Sequence, residues 1–237
     1  MPTIETAAGP ARYVVAGSGP PVVFLHGLDG SWRWWRPTLR ALAPRYRCYA
    51  LDFVGFARWR EAGRVPLARA PTFVLAWLDA LGLDWAHVAA HSLGGYTALA
   101  LAAAHPERVG RLALVAPAAL PVRLGETLRP RLIPATVAPR FLPVLARDSL
   151  RTGPPRLLRT LRELLAAEPL PLEAVRAPTL ILWGARDPLL PPAHGRELAR
   201  RLPGARLRLL PDAGHVPMYE SPAACNATLI RFLSEAS

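Results

Sequence analysis

The sequence predicts an α/β domain: a mostly parallel central sheet flanked by helices, interrupted by a small inserted helical cap. Three observations predict it. Short apolar runs alternate with longer helix-like stretches from residue 22 to residue 116, and the alternation resumes at residue 178. Such alternation implies parallel pairing through right-handed crossovers. The apolar runs, such as Val22-Val23-Phe24-Leu25, are continuous, as strands covered on both faces require. Between the two alternating regions, residues 117–172 carry many prolines and Arg-rich helical pieces such as Arg156–Ala167, with no strand-like run. Residues 1–116 and 173–237 are therefore expected to form the core, and residues 117–172 the cap.

Taken in order, Thr3–Thr6 and Ala11–Ala16 can pair as a hairpin, and Gly17-Ser18-Gly19-Pro20-Pro21 is a turn. The strand Val22–Leu25 ends at His26-Gly27-Leu28-Asp29-Gly30, where glycines let the backbone approach a ligand. Trp32–Leu42 reads as a helix with Trp34, Trp35, Leu39 and Leu42 inward; Trp32, nearest the loop, is placed at a pocket. Arg47–Leu51 is a strand ending in Asp52-Phe53-Val54-Gly55-Phe56. Pro71 opens a helix to about Leu81, because proline suits the first turn, and Gly82 closes it. Next come the apolar run Trp85–Ala89, the six residues Ala90-His91-Ser92-Leu93-Gly94-Gly95, and the Ala-rich stretch Tyr96–Ala104. These read as strand, sharp turn, helix. Arg111–Val115 is a further strand. Beyond the cap, Pro178–Trp183, Pro192–Leu202, Ala205–Leu210 and Pro222–Leu233 read as strand, helix, strand, helix.

Composition narrows the function classes. Hydrophobic residues make up 51% and charged residues 19%, which excludes a disordered chain. The 29 basic residues are all arginine and give a formal net charge of +12. Such an excess suits nucleic acid, an anionic membrane or an acidic partner. No compact basic run with interleaved aromatics is present, so nucleic acid is not expected. Cys48 and Cys225 stand outside any CxxC pair and read as small buried apolar residues. No His/Asp/Glu set has ligand spacing, so neither metal nor cofactor is expected. No run is long enough to span a membrane, and the first residues lack a signal-peptide pattern, so a cytoplasmic protein is expected.

The chemistry concentrates at strand ends. In open parallel sheets, ligands bind beyond the carboxyl ends of the strands. His26-Gly27, Asp52, Ser92, Asp187 and His215 all fall there. A serine in a strained strand-to-helix turn presents its hydroxyl above the sheet. Such a turn needs small residues two before and two after the serine; here they are Ala90 and Gly94. A serine hydroxyl is a poor nucleophile until a base and an orienting acid are supplied. Asp187 follows the strand ending at Trp183, and His215 follows the next strand, so both reach one rim. Asp212, three residues before His215, is the alternative acid and reads as a turn former. His26 and His91 read as structural, and His87, His105 and His194 as surface or packing residues.

With these residues the chain resembles the α/β-hydrolase superfamily. Within it, the chain resembles small-cap serine hydrolases such as carboxylesterases and pimeloyl-carrier methyl esterases. His26-Gly27, Ala90-His91-Ser92-Leu93-Gly94-Gly95, Trp183-Gly184-Ala185-Arg186-Asp187 and Gly214-His215-Val216-Pro217-Met218-Tyr219-Glu220-Ser221-Pro222 carry the resemblance. Two departures stand out: Ala57 and Trp59 replace the usual glycine and serine of the loop after Asp52. The resemblance implies that Ser92 is the nucleophile, His215 the base and then acid, and Asp187 the orienting acid. It gives the oxyanion hole to the backbone N–H groups of Leu28 and Leu93. Trp32 and Val216 are added as substrate contacts. The expected reaction is cleavage of a small apolar carboxylic ester, or another acyl substrate, through an acyl-serine. The same apparatus serves C–C bond hydrolases, aminopeptidases, thioesterases, acyltransferases and perhydrolases. A carboxylate-nucleophile dehalogenase or epoxide hydrolase does not fit Ser92. Residues 117–172 hold nine arginines against four acids. This resembles the way pimeloyl-carrier methyl esterases receive an acidic carrier protein, a further partner to test. A non-catalytic binding module would typically have lost Ser92, Asp187 or His215, and all three are present.

Overall fold

Eight strands form one sheet: β1 (Thr3–Ile4), β2 (Ala11–Ala16), β3 (Pro21–Leu25), β4 (Arg47–Asp52), β5 (Ala86–His91), β6 (Val109–Val115), β7 (Thr179–Gly184) and β8 (Arg206–Leu210). Their spatial order is β1-β2-β4-β3-β5-β6-β7-β8. The structure, a computed structural model, describes residues 1–52, 65–120 and 138–235. Pairing is antiparallel for β1–β2 and β2–β4 and parallel from β4 through β8. The chain lays β4 on one side of β3 and then crosses to lay β5 on the other. Connections leaving β3 and β5 therefore diverge, and a crevice opens between their carboxyl ends.

The described helices are α1 (Arg36–Leu42), α2 (Ala70–Ala80), α3 (Leu93–Ala104), α4 (Leu142–Thr152), α5 (Pro154–Leu165), α6 (Pro192–Arg201), the short α7 (Pro217–Glu220) and α8 (Pro222–Leu233). Strand residues alternate between two buried clusters. Val22 and Phe24 of β3 join a cluster with Trp35 and Leu39 at α1 and Leu229 and Phe232 of α8. Val23 and Leu25 join the other, with Phe73 and Trp77 of α2, Leu99 of α3 and Leu198 of α6. Both faces being covered is the physical reason that β3 and β5 to β7 read as continuous apolar runs. β8 lies at the sheet edge and alternates instead, with Arg206 and Arg208 exposed.

Three elements differ from the sequence reading. Trp32–Leu42 is not one helix: a 3₁₀ turn spans Trp32–Trp35 before α1 begins. The Ser31 side chain accepts the Arg33 N–H at 3.3 Å and caps the first piece, while Pro37 opens the second. Helix α3 starts at Leu93, not Tyr96, so the sharp turn uses Ser92 alone. Only Thr3–Ile4 of the first predicted strand pairs with β2. Within the predicted cap, α4 and α5 are helical and Phe141 is buried. The loop after Asp52, with Ala57 and Trp59, and residues 121–137 lie outside the described residues.

Cys48 and Cys225 are both free and buried, and burial pushes each thiol up to about 12. No described helix is long and apolar enough to cross a membrane. Trp35 is fully buried against Phe24, with ring centroids 5.2 Å apart. Replacing it by alanine removes that contact and leaves a large cavity, so Trp35→Ala is expected to cost about 3–5 kcal/mol in urea unfolding.

Candidate active site

Ser92 ends β5 and begins α3, with φ 50° and ψ −117°. A non-glycine residue held there stores on the order of 1–3 kcal/mol, and it persists because its surroundings fix it. The Ser92 N–H donates to Val115 O at 3.0 Å, and its carbonyl accepts the N–H groups of Gly95 and Ala118, each at 2.9 Å. Glycines allow the close approaches around it. A Cβ on Gly94 would stand 2.6 Å from Leu25 O and 2.7 Å from His26 O. The start of α3 therefore presses on the end of β3. A Cβ on Gly27 would stand 3.0 Å from the Ser92 Cβ. That glycine lets the loop after β3 lie against the serine.

His215 Nε2 lies 3.1 Å from Ser92 Oγ, and its Nδ1 lies 2.8 Å from Asp187 Oδ2. Both loops leave neighbouring parallel strands, β7 and β8, at their carboxyl ends. The Asp187 side chain is fully buried, and its Oδ1 accepts the Leu189 and Leu190 N–H groups at 2.8 and 2.9 Å. These bonds satisfy the oxygen not used by the imidazole and fix its partner toward His215. Asp212, the alternative acid, is exposed and paired to Arg186 at 2.8 Å. Burial opposes charging of His215, but the Asp187 carboxylate and Glu220 more than offset it, and the imidazole titrates above 6.5.

Two further groups support the imidazole: Glu220, which the sequence reading leaves unassigned, and His91, which it reads as structural. Glu220 Oε2 accepts the N–H groups of Gly214 and Val216 at 2.6 and 3.1 Å, clamping the backbone on both sides of His215. His91 Nε2–H donates to His215 O at 2.8 Å, and the two rings lie 4.9 Å apart. Burial, reinforced by the neighbouring His215, holds His91 well below its ordinary range, so it stays neutral. Glu220 lies in the quoted motif five residues after His215, which was the available signal. Nothing local points to His91 as the anchor of a carbonyl that far along the chain.

The other predicted positions distribute as follows. Leu93 is buried at the first position of α3, where an N–H has no intrahelical acceptor. Leu28 follows Gly27 in the loop across the crevice and is half-buried. Trp32 is half-buried; its backbone N–H meets Asp52 Oδ1 at 3.4 Å and the Arg33 guanidinium lies 4.9 Å from its ring. Neither contact joins it to Ser92 or His215. The Val216 side chain is buried in the core cluster that includes Met218 and Phe232. His26 Nδ1–H donates to Gly27 O at 2.9 Å and braces that loop. Among the described residues no group of three or more His, Cys, Asp or Glu is placed to hold a metal ion.

The chain matches a model of the alpha/beta hydrolase family over residues 22–228. It is similar to the pimeloyl-acyl-carrier-protein methyl ester esterase of Aeromonas hydrophila, with 31% identity over 87% of this chain and 92% of that one. It is also similar to the dihydrolipoyllysine-residue acetyltransferase component of the acetoin cleaving system of Pseudomonas putida. There the identity is 30% over 91% of this chain, which spans 64% of that protein's length. Among solved structures it superimposes on the enol-lactonase from Burkholderia xenovorans LB400 with a TM-score of 0.83 and 27% identity, over 99% of this chain and 100% of that one.

Glu220 links this geometry to pH. Burial raises its carboxyl from an ordinary 4.5 to about 7 against the pull of its two backbone bonds. The folded state then holds a proton that the unfolded state releases, so this group's contribution to stability is largest below 4.5 and is lost as pH rises to about 7. Urea unfolding of wild type and Glu220→Gln across that window is expected to show the variant gaining on wild type as pH rises.

Proposed function

The chain belongs to the alpha/beta hydrolase family, and on that premise we propose that it is a serine hydrolase cleaving a carboxylic ester through an acyl-serine. One observation carries the reading: an unbroken hydrogen-bond chain from Ser92 Oγ through both nitrogens of His215 to Asp187. As Ser92 Oγ attacks the ester carbonyl, His215 Nε2 takes its proton and Asp187 stabilises the imidazolium that forms. Negative charge grows on the carbonyl oxygen, where the Leu28 and Leu93 N–H groups receive it. His215 then delivers the proton to the departing alcohol. Water repeats the sequence on the acyl-serine, with His215 again as base, and the carboxylic acid leaves.

The prediction for Ser92→Ala is loss of ester hydrolysis and of covalent labelling by a fluorophosphonate. A panel of nitrophenyl esters of rising chain length, run on both proteins, checks this and ranks acyl groups. Labelling that persists in Ser92→Ala would refute the assignment. The acid limb of kcat/KM is expected above pH 6.5, because activity needs neutral His215 and its titration is raised. Asp187→Asn is expected to lose on the order of 10³–10⁴-fold in kcat, since the imidazole loses its orienting carboxylate. It should also move the acid limb down.

A narrower reading names the acyl side: an acyl group carried on an acidic protein. Arg36, Arg40 and Arg140 line a groove of about 330 Å³ beside Tyr219, with no carboxylate among its lining residues. The Aeromonas hydrophila relative carries a carrier-protein methyl ester esterase name. Activity on a carrier-linked methyl ester should fall steeply with added salt, whereas activity on a small neutral ester should not. Equal salt dependence on both substrates would rule the carrier out.

A further inference from the structure

Helix α4 lies against the loop after β3, which it meets through Asp148 and Ser149. Its Asp148 is only 2% exposed, although it stands on a helix whose Leu150 is 86% exposed. Asp148 Oδ2 accepts two bonds, from Ser31 Oγ–H at 2.7 Å and from Trp34 Nε1–H at 3.0 Å. The next residue, Ser149, donates its hydroxyl to Asp29 Oδ2. A buried carboxylate is tolerable only where donors are supplied, and here one loop segment supplies them. Burial raises the Asp148 carboxyl above its ordinary range, and donation from Ser31 and Trp34 partly offsets this.

The segment so gripped is the one that carries Leu28. Asp29, its immediate neighbour, holds a left-handed backbone at φ 62°. That conformation costs a residue with a Cβ on the order of 1 kcal/mol and needs outside support. The Trp34 ring also lies 5.5 Å from the ring of His91, which anchors the His215 carbonyl. On the cap side, Phe141 packs edge-on against Trp34 at 5.0 Å.

We propose that Asp148 is a positioning residue: from the cap it fixes residues 29–34 so that the Leu28 N–H points at the developing oxyanion. Seating of the cap is then a condition of catalysis and not only a cover for substrate. The proposal rests on the serine-hydrolase reading. Asp148 touches no reacting atom. An oxyanion draws far more from a well-aimed donor than a neutral carbonyl does, so the loss on loosening the loop falls on kcat and spares KM.

The test compares Asp148→Ala, Asp148→Asn and Ser149→Ala with Leu150→Ala as a control on the same helix. Three quantities are read: kcat and KM on p-nitrophenyl acetate, the rate of fluorophosphonate labelling, and amide hydrogen exchange over residues 26–34. Asp148→Ala is expected to lose about tenfold to a hundredfold in kcat and in labelling rate with KM unchanged, less than the roughly 10²–10³ of a donor removed outright. Exchange at residues 26–34 should quicken. Asp148→Asn keeps an acceptor for Ser31 and Trp34 and should recover most of the loss. Ser149→Ala should show a smaller loss of the same kind, which keeps the test open if Asp148→Ala does not fold. Unchanged kcat, a loss confined to KM, or exchange no faster than in Leu150→Ala would each overturn the proposal. A wild type that neither turns over esters nor labels would refute the serine-hydrolase reading instead, and the exchange comparison would still decide whether Asp148 holds the loop.

Discussion

The parallel hydrogen-bond ladder from β3 to β8 is the constraint on which the site depends. Leu25 pairs with Ala90, Val115 with Leu182, and Gly184 with Leu210. These registers put the ends of four strands at one level. Leu28, Ser92, Asp187 and His215 each lie a few residues past such an end. Residues over a hundred positions apart in the chain thus meet without any local signal bringing them together. A slip of one residue in any pair would turn buried side chains outward on that strand, and two fully packed faces forbid it. The precision of the site is the precision of the core.

The ladder alone does not aim an imidazole. His215 is held at its ring by Asp187, at its carbonyl by His91, and at the flanking N–H groups by Glu220. The groups are also sorted by charge. His91 is kept neutral by burial, so no second cation competes with the imidazolium that Asp187 and Glu220 favour. Several weak restraints in a low-dielectric setting leave the ring little freedom and cost no rearrangement when charge moves.

Much of this was legible in the sequence because it is written in short-range patterns. Continuous apolar runs marked the central strands, and chemistry-bearing residues stood just beyond them. What was not legible depends on contacts distant in sequence. Asp148 looked like one of four cap acids, and only its burial beside Ser31 and Trp34, more than a hundred residues away, separates it from a solvated charge. The helix read over Trp32–Leu42 split because Ser31 and Pro37 each start a helix, and apolar periodicity is blind to two starts within one run.

The margins of the sheet bear on how the protein behaves when crowded. One margin is β1, two residues long, and the other is β8, which turns Arg206 and Arg208 to the outside. A strand that ends a sheet offers unpaired backbone groups to any similar strand it meets. Here a neighbouring copy would find too short a template on one side and, on the other, charged side chains, Arg208 and the Arg206–Glu235 ion pair. The arginine-rich composition thereby disfavours runaway stacking of one molecule on the next.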